Sequence, residues 1–230
     1  MKKILWCGGS HLANARPLIE EAHDTGALGA FDAEFYVTGG PRNRDWSGAG
    51  GRYTVEGSVV SGNAHEPERR IDLAAFDAAV FIGQYIQPFK AFIGDVPHSS
   101  SVVERTLREL PIEGRFHDPE RGIRHRWYNE PLVLFPPLVS GPTFLLPDPA
   151  PVGKRYGDVP QPLKQAYHNR MTDFCAEAGI TYVDMPPELF TEDGRTRRRY
   201  ALPGDALHMN AEYWHVVFDK ALLPAMTQIL

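Results

Sequence analysis

The chain reads as an α/β protein, a three-layer α/β/α sandwich around a central, mostly parallel five-stranded sheet. Five short runs are apolar nearly throughout, the composition of strands covered on both faces. Helical patterns separate several of these runs, as parallel strands joined by crossovers require. The 230 residues, 43% hydrophobic and 23% charged, suit one domain over 1–230 whose core needs no covalent staple.

The first strand is KILWCG, residues 3–8. It stops at Gly8 and Gly9, and HLANARPLIEEAHDTG follows as a helix ending at Gly26. AEFYVT (33–38) is the second strand. A glycine-rich insertion over 39–66 then breaks the rhythm, and RYTVEGSVV within it reads as a small hairpin. DAAVFIG (77–83) is the third strand, and SSSVVERTLREL (99–110) predicts a helix with serine caps and a Val102, Leu107, Leu110 face. Residues 111–141 read as a second, irregular insertion containing RGIRHRWYNEPLVLFPP. PTFLLPD (142–148) and ITYVDM (180–185) are the last two strands. The helix between them, PLKQAYHNRMTDFCAEAG (162–179), opens with proline and closes with glycine. A final amphipathic helix has Asn210 as its N-cap and Trp214, Val217, Phe218, Ala221 and Leu222 on one face.

The net charge of −5 argues against a nucleic-acid or anionic-membrane surface, which needs clustered positive charge. The apolar run after Lys2 and Lys3 is shorter than the ~7–15 residues of a signal-peptide core. No stretch approaches the ~20 apolar residues of a membrane span. Cys7 and Cys175 form no paired framework, which fits a reducing compartment. The expectation is a soluble, cytoplasmic protein.

Ligands of open α/β sheets bind at the carboxyl ends of the strands, and Ser10 lies just past the first. A serine in that turn can be a nucleophile, part of a phosphate-binding turn, or a helix cap. A dinucleotide-binding turn is disfavoured because no glycine occurs between Gly9 and Gly26. At the other end, PGDALHMNAEYW places Asp205 three residues before His208. That spacing can set a carboxylate beside an imidazole, fixing its tautomer and stabilising its positive charge. An arbitrary pair at this spacing is more often a solvated aspartate and a partly buried histidine.

Taken together, GGSH at 8–11 and DALHMN at 205–210 resemble the blocks of the SGNH (GDSL-like) hydrolases, in the same chain order and over almost the whole length. The resemblance implies an SGNH-hydrolase or flavodoxin-like fold and a catalytic triad of Ser10, His208 and Asp205. It also implies an oxyanion hole from the Ser10 N–H, a glycine N–H after the second strand, and an amide side chain after the third. Gly39 or Gly40 would be the second donor, with Gly40 favoured. FIGQYIQ stands where the family has an asparagine, so Gln84 is the candidate third donor. Gly9 also stands where the family often has aspartate. Losing one such donor costs about 2.7–4 kcal/mol in the transition state.

Beside the triad, His11 reads as a second base, a substrate contact or a plain first-turn residue. Tyr85 and Trp127, with Trp46, Tyr53 and Tyr128, are loop aromatics able to stack on a sugar or line an acyl pocket. Arg195, Arg197, Arg198 and Arg199, with Arg121, Arg124 and Arg126, could meet an anionic substrate or form solvated basic loops. No metal or other cofactor is expected, since short His and Cys ligand spacings are missing. The expected activity is hydrolysis of a small or glycan-linked O-acyl ester. An O-acyltransferase on the same triad and a non-catalytic binding domain are the alternatives.

Overall fold

The structure, a computed structural model, describes residues 2–26, 31–37, 54–61, 68–83, 115–118, 123–126, 132, 134–153 and 161–229. The first six strands are β1 (Lys2–Gly8), β2 (Phe31–Val37), β3 (Thr54–Glu56), β4 (Val59–Ser61), β5 (Arg70–Asp72) and β6 (Ala78–Ile82). They are followed by β7 (Arg115–Asp118), β8 (Ile123–Arg126), β9 (Thr143–Leu146) and β10 (Ile180–Tyr182). The central sheet has the order β10-β9-β6-β1-β2, and every pairing in it is parallel. All five strands expected from the apolar runs are therefore present. Counted within this sheet alone, the order is 2-1-3-4-5, with a switch point between β1 and β6.

Alternation along β1 divides the core. Leu5 and Cys7 join one apolar cluster, Ile4 and Trp6 the other. The second cluster takes Leu12, Ala15 and Ile19 of helix α1 (Ser10–Asp24). The first takes Met171, Phe174 and Cys175 of helix α2 (Gln161–Glu177), with Val60, Ile71 and Leu73 beside them. The C-terminal segment returns to the second face. It runs as α3 (Ala211–Val217), a π-helical stretch Phe218–Leu222, and α4 (Leu223–Ile229). Tyr213, Trp214, Val217, Phe218 and Leu222 are buried there, and the Phe218 ring stacks on Trp6 at 5.8 Å.

Three expectations change in detail. The hairpin forms as β3 and β4, but β5 adds a third antiparallel strand. The stretch read as irregular contains the antiparallel ribbon β7–β8. Each of these strands has only three or four residues, too few for a periodic pattern to register. The final helix changes to π pitch for five residues where an unbroken α-helix was expected. The helix expected over 99–110 lies outside the described residues.

Asn210 is the N-cap of α3, as read from the sequence. Its Oδ1 accepts from the Tyr213 N–H at 3.1 Å, and its amide donates to the Arg199 carbonyl at 2.8 Å. Asn210→Ala removes both bonds. A loss of about 1–2 kcal/mol is expected in urea unfolding, and an unchanged midpoint would show that the cap contributes nothing.

Candidate active site

The site is assembled at the carboxyl edge of the central sheet. Gly8 ends β1 in register with Val37 of β2 and Ile82 of β6. A Cβ at Gly8 would lie 2.7 Å from both the Ile82 carbonyl oxygen and Leu12 Cβ, so only glycine lets α1 start this close to β6. Gly9 is the N-cap of α1, without a side-chain cap bond, and Ser10 is the first helical residue. This corrects the helix-cap alternative for Ser10: the cap position belongs to Gly9. The Ser10 side chain is exposed, and the next residue, His11, is buried.

His11 turns inward to Asp148, which follows β9. The two side chains are each 8% exposed, and His11 Nε2 lies 3.3 Å from Asp148 Oδ1. Gly83, directly after β6, completes this corner. It has φ +62°, and a Cβ there would stand 2.2 Å from Asp148 Oδ1 and 3.1 Å from His11 Cδ2. The Gly83 N–H donates to the Leu146 carbonyl at 3.1 Å. Asp148 was missed as a site residue. Its signal was a carboxylate two residues beyond FLL, at the edge where ligands bind.

The second carboxylate–imidazole pair is the one the sequence pointed to. His208 Nδ1 and Asp205 Oδ2 are 2.6 Å apart. Asp205 Oδ1 also accepts the Leu207 and His208 backbone N–H groups at 2.7 and 3.1 Å. Burial pushes this carboxyl up, but the Leu207 N–H, the His208 ring and the His208 N–H outweigh it and hold Asp205 at about 2. The bond at Nδ1 fixes the tautomer, leaving Nε2 as the basic nitrogen. The loop is braced by Leu202 N–H to the His208 carbonyl at 3.0 Å and Val152 N–H to the Ala206 carbonyl at 2.8 Å.

The two pairs meet through their rings. The His11 and His208 centroids are 5.3 Å apart at 44°. This places the Asp205–His208 pair against the residue that follows Ser10. No hydrogen bond joins the Ser10 hydroxyl to His208 among the described residues. Gly39, Gly40, Gln84, Tyr85 and Trp127 lie outside the described residues.

The arginines before the loop are largely engaged within the fold. Arg195 is buried, pairs with Asp193 at 3.0 Å and donates to the Gly153 carbonyl. Arg197 donates to the Glu188 carbonyl at 2.9 Å, and Arg199 lies over the Tyr200 ring and beside Glu212. Burial pushes the Cys7 thiol far up and the Cys175 thiol to about 12, so neither supplies a thiolate nucleophile near neutrality. Burial likewise raises the Tyr213 phenol, and the Asp148 charge adds to the effect. Among the described residues, no three His, Cys, Asp or Glu side chains are grouped to hold a metal ion, and no helix is long and apolar enough to cross a membrane.

No protein-family model matches the chain. No curated protein matches it. Among solved structures, the chain is similar to a lipase/acylhydrolase from Enterococcus faecalis, with 12% identity and a TM-score of 0.48, over 100% of this chain and 98% of that one. It is also similar to a putative acylhydrolase from Bacteroides fragilis, with 13% identity and a TM-score of 0.43, over 99% of this chain and 85% of that one.

Proposed function

We propose that the chain is a serine ester hydrolase. Ser10 is the nucleophile, His208 the general base, and Asp205 the residue that orients His208. The observation that carries this reading is the 2.6 Å Asp205–His208 pair, seated at the carboxyl edge against the residue after Ser10. His208 Nε2 takes the Ser10 proton as Oγ attacks an acyl carbonyl. The tetrahedral oxyanion is held by the Ser10 N–H at the start of α1, with the Gly40 N–H and the Gln84 amide as its other donors. The intermediate collapses as His208 gives its proton to the leaving alcohol. Water, deprotonated by His208, then attacks the acyl-enzyme and restores the serine. The missing Ser10–His208 bond is compatible with this, since such bonds often tighten only when substrate is bound.

The substrate proposed is a small or glycan-linked O-acyl ester, with Tyr85 and Trp127 beside it, while His11, expected as a substrate contact, is instead buried against Asp148. Hydrolysis of p-nitrophenyl acetate tests the reaction class. Turnover that Ser10→Ala does not diminish would end the proposal.

Asp205 gives a test with a definite sign. Its carboxyl is lowered in the folded chain, so the stability it contributes is present above the ordinary carboxylate value and is lost as pH falls towards about 2. It therefore stays ionised throughout any assay range, and an acid limb in the rate reports another group. Asp205→Asn is expected to lower kcat by about 10⁴. A kcat in Asp205→Asn close to that of wild type would contradict this assignment.

A further inference from the structure

The mechanism uses one carboxylate–imidazole pair, but the carboxyl edge holds two. Asp148 and His11 are buried together, 3.3 Å apart, in a corner that Gly83 leaves open by having no side chain. Elements after β1, β6 and β9 converge there. A buried carboxylate is costly unless it is paired, and the His11 ring is the group that faces Asp148. The outer side of that arrangement is the His11 ring, 5.3 Å from His208. His11 has little access to solvent, which disfavours direct proton exchange with a substrate.

We infer that His11, clamped by Asp148, is a positioning residue: its ring is the wall that keeps the His208 ring in the orientation in which Nε2 meets Ser10. This deepens the ester-hydrolase proposal and, for its rate consequences, rests on it. Asp205 holds the His208 ring itself only at Nδ1, and a ring held at one atom can still swing about that bond. A second ring 5.3 Å away, tilted by 44°, limits that swing. Small misplacements of a reacting group are expensive in rate, about 10²-fold for 1 Å.

Two substitutions separate the ring from the polar contact with Asp148. His11→Gln keeps an amide N–H near the position of Nε2 and so keeps a partner for Asp148, but removes the ring. His11→Phe keeps a ring against His208 but removes the nitrogen that faces Asp148. Three quantities are compared in the full chain: the melting temperature, the rate at which a fluorophosphonate labels Ser10, and solvent exchange of the His208 Nδ1 proton in chain carrying ¹⁵N-histidine. A purely structural residue would rank the variants the same way in all three.

The inference predicts opposed rankings. His11→Gln melts higher than His11→Phe. It nevertheless labels about 10–100-fold more slowly than wild type and more slowly than His11→Phe, and its Nδ1 proton exchanges fastest. Labelling and exchange in His11→Gln equal to wild type, or rankings that follow melting temperature throughout, would overturn it. If wild type takes no label while the exchange order holds, the hydrolase proposal fails and the positioning role stands.

Discussion

Ser10→Ala is expected to reduce ester hydrolysis to background, a fall in kcat of about 10⁶. His208→Ala should fall about as far. The double variant should be no worse than either, because nucleophile and base act as one unit and their losses do not add. Ser10 is exposed and makes no side-chain bond at the N-cap of α1, so Ser10→Ala should melt like the wild type. Full loss of rate without loss of stability separates chemistry from folding. Equal losses in both would instead mark Ser10 as structural.

Gly83→Ala carries the largest expected effect on the fold. An alanine there must adopt φ +62°, a left-handed conformation that costs about 1–2 kcal/mol. Its methyl would also lie 2.2 Å from Asp148 Oδ1, a distance no side chain tolerates, so Asp148 or the β6 end must shift. Overpacking of this kind adds about 1–3 kcal/mol. The sum, about 2–5 kcal/mol, corresponds to a fall in melting temperature of roughly 4–20 °C for a chain of this size. The displaced group is the one that holds His11, so labelling of Ser10 should slow as well. A Gly83→Ala protein that melts and labels like wild type would show that this corner is softer than its geometry implies.

The inner strands of the central sheet were legible because they are covered on both faces. β1, β6 and β9 carry no internal polar alternation, and their burial is nearly complete. β5 and the β7–β8 ribbon were not legible: three or four residues mixing charged and apolar side chains carry no distinctive period. In the site, Asp205 and His208 were readable because three residues of one loop suffice to bring them together. Asp148 was not. Its partner His11 is 137 positions away, and their meeting depends on β1 and β9 flanking β6 in the sheet, which local pattern does not encode. Gly83 falls in the same class, since its lack of a side chain matters only once Asp148 and His11 surround it.

The central claim is that Ser10 is an activated nucleophile. It is tested most directly by intact-mass measurement of the chain after treatment with a fluorophosphonate, with the adduct mapped to a peptide. The account predicts one adduct per chain, on Ser10, absent from Ser10→Ala and greatly slowed in His208→Ala. No adduct on the wild type, or one that persists in Ser10→Ala, would contradict it.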